Sequence, residues 1–155
     1  MRRPVKKRIK IEPDIKHQSA LVAKFINYVM RNGKKGIAQK IVYDALAEIE
    51  KKTGKGSLEI LDQVIRNAGP EQELRSRRIG GANYQIPYPV KTERKITLAL
   101  RWIIEAAKSK KGKPMVQKLS QELIDAYNNT GTAVKKKVDT HRMADANKAF
   151  AHFAW

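Results

Sequence analysis

Residues 72–90 read QELRSRRIGGANYQIPYPV, and the fold turns on how this stretch is taken. Its second half alternates Tyr84, Ile86, Tyr88 and Val90 with Asn83, Gln85, Pro87 and Pro89, the period of a strand. Gly80-Gly81 supplies a tight turn open to positive φ, so the stretch predicts a β-hairpin. Pro87 and Pro89 have no N–H to give to a ladder, which makes theirs an edge strand and keeps the ribbon out of a larger sheet. Arg75 and Arg77 project from one face of the other strand and Arg78 from the opposite face. A lone two-stranded ribbon is marginal in water. It leans on helices at its base and projects at its tip, or leans on a partner.

On both sides of the ribbon the period is helical. Leu21, Val22, Phe25, Ile26, Val29 and Met30 line one side of a helix from about Ser19 to Arg31, with Ser19 as its cap and Gly33 as its stop. Ile37, Ile41, Val42, Ala45, Leu46 and Ile49 stripe a second helix over 35–52. Ser57 caps a third, striped by Leu58, Leu61, Val64, Ile65 and Ala68 and stopped by Gly69-Pro70. After the ribbon, Ile96, Ala99, Leu100, Ile103 and Ala107 face inward on a fourth helix over 93–109. Pro114 opens a fifth, striped by Met115, Val116, Leu119, Leu123, Ala126 and Tyr127. A sixth, over 133–148, has no clean apolar stripe and is expected to lie against something polar, such as RNA. The expectation is a mainly α single domain over 1–155. It is a bundle of about six helices with a protruding two-stranded hairpin inserted between helices three and four. A basic extended arm (1–18) precedes it and a tail (149–155) ends it. The arm carries Pro4, Pro13 and mutually repelling charge, and is expected to order only on meeting its partner.

The chain of 155 residues has 33 Lys+Arg against 15 Asp+Glu, a formal net charge of +18. Such an excess speaks of partners, not of fold. It is also segregated. Residues 1–10 hold Arg2, Arg3, Lys6, Lys7, Arg8 and Lys10 and no acid. Residues 91–113 hold eight basic residues against Glu93 and Glu105, whereas 37–50 and 57–73 lean acidic. One basic face opposite a neutral or acidic one is the footprint of a nucleic-acid binder.

Other chemistries find no support. Cysteine is absent, which removes disulfides and thiolate metal sites. No apolar run approaches the roughly 18 residues of a membrane helix, and the basic N-terminus lacks the apolar core of a signal peptide. Gly54-Lys55-Gly56-Ser57 lacks the first glycine of a phosphate loop. His141 and His152 stand about 16 Å apart along a helix, too far to share a metal; they are read as surface or RNA-facing. No enzyme, cofactor or small-molecule substrate is expected.

Three features point to RNA. The ribbon joins Arg75, Arg77 and Arg78 to Tyr84, Gln85 and Tyr88; Arg forks phosphates and stacks on bases. Tyr88 is read as packing, while Tyr84, near the turn, either packs or meets a base. On helix four, Arg94, Arg101 and Lys108 recur every seven residues on the outer face and run into Lys110, Lys111 and Lys113. The C-terminal stretch supplies Lys135, Lys136, Lys137, His141, Arg142, Asn147 and Lys148. Trp102 is read as packed; Trp155 is open to either role. Separated patches on arm, ribbon, helix and tail suit a folded RNA with many backbone surfaces better than duplex DNA read by one helix.

The stretches RSRRIGGANYQIPYPV (75–90), LALRWIIEAA (98–107), THRMADANKAFAHFAW (140–155) and NGKKGIAQKIVYDAL (32–46) resemble the small-subunit ribosomal protein seven family, over nearly the whole chain from about residue 19. The resemblance implies a helical body with a protruding ribbon. It implies direct binding to the 3′ major domain of 16S-type rRNA, nucleation of the subunit head, and a place near the exit-site tRNA and mRNA beside small-subunit proteins nine and eleven. It implies a ribosome of the cytoplasm, with an organelle left open. It carries rRNA contacts onto the arm, Lys34, Lys35, Arg75, Arg77, Arg78, Arg94, Arg101, Lys113, Lys135, Lys136 and Arg142. Pro89, Lys148 and Ala154 depart from its pattern. The rivals are a DNA-architectural protein, which lacks an evident wedge residue, a translational regulator bound to messenger RNA, and a nucleotide-using enzyme.

Overall fold

A computed structural model of the chain describes residues 11–154. Among these, α1 (Ala20–Val29), α2 (Lys35–Thr53) and α3 (Ser57–Ala68) precede β1 (Gln72–Ile79) and β2 (Ala82–Pro89). Then come α4 (Thr92–Ser109), α5 (Met115–Tyr127), α6 (Gly131–Ala146) and a short 3-10 helix, Lys148–Phe153. The mainly α bundle with a hairpin between α3 and α4 is thus the observed architecture. No described helix is long and apolar enough to cross a membrane.

The bundle is built around α5, which packs against α2, α3, α4 and α6. Leu119, Leu123 and Ala126 of α5 share one continuous core with Phe25 and Ile26 of α1, Val42, Leu46 and Ile49 of α2, Leu61 and Val64 of α3, and Leu100 and Ile103 of α4. Each of the larger side chains among them contributes about 1.5–3 kcal/mol by leaving water. The stripes of α1, α4 and α5 follow the expected periodicity. On α2, Val42, Ala45, Leu46 and Ile49 are buried as expected, but at its start Ala38 is buried and Ile37 is 59% exposed. Leu58, expected inward on α3, is also exposed.

Three local expectations are corrected. Ser19 stands at the N-cap of α1 but makes no side-chain cap bond. Ser57 is the first residue of α3, and Gly56 holds the cap position. The described part of the arm is not free: Asp14 is buried, its Oδ1 accepts from the Tyr43 hydroxyl at 2.6 Å, and its Oδ2 accepts from the backbone N–H of Lys16 and of His17, each at 3.2 Å. Residues 11–18 are thereby tied to α2.

Helix α6 differs most from its reading. It packs on α3, α4, α5 and β1. Its buried apolar residues, Ala133, Val134 and Ala144, are mostly small, and polar anchors complete the seat. Lys137 Nζ donates to the carbonyls of Arg66 and Asn67 at the end of α3 (3.3 and 2.9 Å), a cation on the negative end of a helix. His141 Nε2 accepts from the Glu71 N–H at 3.0 Å, so this histidine holds the root of the ribbon.

In the ribbon, β1 and β2 run antiparallel with Ile79 opposite Ala82. The two residues between them, Gly80 and Gly81, have φ of 56° and 90°, both in the region that only glycine enters freely. Arg77 pairs with Tyr84, Arg75 with Ile86 and Glu73 with Tyr88, which places these six on one face.

Candidate nucleic-acid interface

The cations fall into two groups, those held by the protein and those presented by it. Lys110, expected in the basic row, belongs to the first. Its Nζ lies 2.7 Å from Oε2 of Glu122 and 3.1 Å from Oδ2 of Asp125. Burial lowers its pKa, but the two carboxylates outweigh burial and hold it above its ordinary value. Glu122 Oε1 accepts from the Ala133 N–H at 3.1 Å, so one buried carboxylate joins the loop after α4 to the start of α6. Gly131, at φ 91°, gives this carboxylate room: a Cβ there would stand 3.0 Å from Glu122 Oε1. Lys137 is likewise spent on α3, and burial, followed by the nearby Lys95, lowers its pKa.

The presented cations form a wall along the turn between α1 and α2 and across α4. Lys34, at the cap of α2, and Lys108, on α4, border a groove of about 290 Å³ with Arg31. The floor is Val29, Ile37, Ala38, Ile41 and Met115, and among the described residues no carboxylate lines it. Lys108 also borders the adjoining hollow, with Tyr28, Arg101, Ile104 and Glu105. Arg101 lies over the Tyr28 ring, 5.5 Å from its centroid. The structure therefore brings Lys34, Arg101 and Lys108 together, although they come from elements far apart in sequence. Lys35 and Lys113 are exposed nearby on the chain, at the start of α2 and just before α5. Tyr28, in the last turn of α1, and Arg31, just after it, went unread in the sequence because nothing in the spacing marks them.

The ribbon's cations are partly engaged. Glu73 Oε1 takes Arg75 at 2.8 Å and its Oε2 takes Arg94 at 3.1 Å, tying β1 to α4. Burial raises the Glu73 pKa, but the two guanidiniums outweigh it and hold the carboxyl below its ordinary range. Arg75 also lies 4.8 Å from the Tyr88 ring centroid. Arg77 Nη1 donates to the Phe153 carbonyl at 2.8 Å. Tyr84 packs against Phe150 and Phe153, with ring centroids 5.1 and 5.8 Å apart. Arg78 is exposed next to the turn.

On the sixth helix, Lys135 is exposed, Lys136 pairs with Glu105 at 2.7 Å and lies 5.9 Å from the Trp102 ring centroid, and Arg142 pairs with Asp139 at 3.2 Å. Trp102 itself is packed against the core. These are solvent-exposed pairs worth about 0–1 kcal/mol each, and a polyanion can displace them. Arg2, Arg3 and Lys7, with the rest of residues 1–10, and Trp155 lie outside the described residues.

The ribosomal protein S7p/S5e family pattern matches residues 1–148. The small ribosomal subunit protein uS7 of Thermosipho africanus is 59% identical over 146 residues, 94% of each chain. That of Thermotoga maritima is 57% identical over 155 residues, all of both chains, and that of Chloroflexus aggregans is 54% identical over 152 residues, 98% of this chain and 97% of its own. With the pattern and these relatives spanning nearly every element described above, the chain belongs to the ribosomal protein S7p/S5e family.

Proposed function

We propose that this protein binds the 3′ major domain of 16S-type rRNA directly and nucleates assembly of the head of the small subunit. As a member of its family it is a structural constituent of the small ribosomal subunit, a ribonucleoprotein component serving translation, and not an enzyme. The observation that carries the direct-binding reading is the trio of Arg31, Lys34 and Lys108 around an apolar floor without carboxylates among the described residues, continued through Lys108 to Arg101 in the adjoining hollow. Cations there meet phosphates, and the aliphatic floor accepts the face of an unstacked base, which suits looped RNA better than a duplex.

The remaining contacts follow the same logic. Lys35, Lys113, Lys135, Lys136 and Arg142 extend the cationic surface, and Arg2, Arg3 and Lys7 add to it from the N-terminus. Arg75 and Arg94, both paired with Glu73, are set to fork the backbone at the ribbon's root. The tip, with Arg78, extends toward the exit-site tRNA and mRNA, and small-subunit proteins nine and eleven are the protein neighbours. Competition binding at physiological salt tests this reading. A 3′ major domain fragment should outcompete duplex DNA and unrelated messenger RNA by about 10³-fold or more; equal competition by all three contradicts it.

A further inference from the structure

We propose that Phe150 and Phe153 are positioning residues for the ribbon. The 3-10 helix that carries them straps the face bearing Arg77 and Tyr84 and fixes the direction in which the tip extends.

The ribbon has two kinds of attachment. At its root, His141 holds the Glu71 N–H and Glu73 holds Arg94. These leave the outer half as two strands without a third, which is marginal in water. The second attachment lies four residues further along β1, about 13 Å at strand rise. There Arg77 and Tyr84 are register partners, and both are taken up by the same short helix. Tyr84 lies against both phenylalanine rings, and the Arg77 guanidinium donates to the Phe153 carbonyl at 2.8 Å. The rings of Phe150 and Phe153 are nearly parallel, 14° apart, and so present one aromatic surface. Ile86, between the root and this contact on the same face, is fully buried. The contact gives the ribbon the second layer that a hairpin alone lacks.

Two consequences follow. Tyr84 acts by packing on the tail and not by stacking on a base. The short 3-10 helix sets how rigidly the tip is held, although its Phe153 lies 76 residues from Arg77 in sequence. Both rest on contacts within the chain and not on the rRNA reading, so either can fail without the other.

Amide hydrogen exchange on the full chain, free of RNA, tests the strap. Replacing both phenylalanines (Phe150→Ala with Phe153→Ala) should speed exchange in peptides spanning 74–86 by about tenfold, the size two aromatic contacts carry. Peptides from α2 and α5 should keep their rates. Tyr84→Ala should give the same acceleration, and combining it with the alanine pair should add little, because both remove one contact. Phe150→Tyr with Phe153→Tyr, which keeps the rings, should restore the protection. Unchanged exchange in the ribbon overturns the proposal. So does equal acceleration in α2 and α5, which would make the phenylalanines ordinary contributors to global stability.

Discussion

Lys110 Nζ lies 2.7 Å from Oε2 of Glu122, a carboxylate wholly shut off from solvent. The pair shows that net charge in this protein serves two ends. Most cations face outward, but this one neutralises a buried acid that also holds the first turn of α6 through the Ala133 N–H. Removing the cation leaves a buried charge unmatched, whereas removing the acid's charge leaves an amide that still accepts from Ala133.

Lys110→Met should therefore cost about 3–5 kcal/mol in urea unfolding. Glu122→Gln should cost less, about 1–3 kcal/mol. Because the Lys110 pKa is raised, its contribution is complete below the ordinary value of 10.5 and fades only as pH rises through the higher folded value. Equal, small effects from both substitutions would show that the pair is not structural.

Asp14 ties residues 11–18 to Tyr43. Burial raises its pKa, but the Tyr43 hydroxyl and two backbone N–H groups outweigh burial and set it below the ordinary 3.8. A lowered carboxylate contributes stability that is full above the unfolded value and is lost as pH falls through the folded one. Protection of amides 14–18 from exchange should hold at neutral pH and collapse only below about 3.8. Asp14→Ala should abolish it at every pH while the helical body keeps its melting transition. Protection that persists in the alanine variant would contradict this.

Lys34 and Lys108 face solvent beside the apolar groove, while Lys137 faces the end of α3. Lys34→Glu or Lys108→Glu should weaken rRNA binding and lower the salt slope by about one per lost phosphate contact. Stability should stay within about 0.5 kcal/mol. Lys137→Met should do the reverse, lowering stability with little effect on the salt slope. Exchange of these two phenotypes would mean that the groove is not the RNA face.

The sequence showed the helices and the ribbon plainly, because apolar residues recur at helical spacing, as in Val22, Phe25, Ile26 and Val29 or Leu119, Leu123 and Ala126, and Gly80-Gly81 marks the turn. It did not show which lysines point inward. Lys110 finds Asp125 15 residues away and Lys137 finds Asn67 70 residues away, pairings that only the packed fold creates. Helix α6 hid its burial because alanines fill most of its tight seat and polar anchors stand where a stripe would show more apolar residues. The wall of Lys34, Arg101 and Lys108 was legible residue by residue, but not as one surface. The exposed Ile37 in its floor read as core because it stands four residues before Ile41, in line with the α2 stripe.

The ribbon tip should matter to the subunit and not to the fold. Its turn contributes nothing to the core, and Arg78 and Asn83 are both exposed. Excising residues 78–83 and bridging the strands should leave thermal unfolding of the bundle and incorporation into subunits intact. Exit-site tRNA occupancy or reading-frame fidelity should change. A truncated chain that fails to fold, or subunits that behave normally throughout, would show that the ribbon has another role.

The central claim is that folded rRNA is held by phosphate contacts from an exposed cationic surface. A salt titration of binding to a 3′ major domain fragment tests it most directly. With about 6–10 phosphates neutralised, affinity should fall by around 10³–10⁵ between 50 and 200 mM salt. A flat titration over that range would contradict the account.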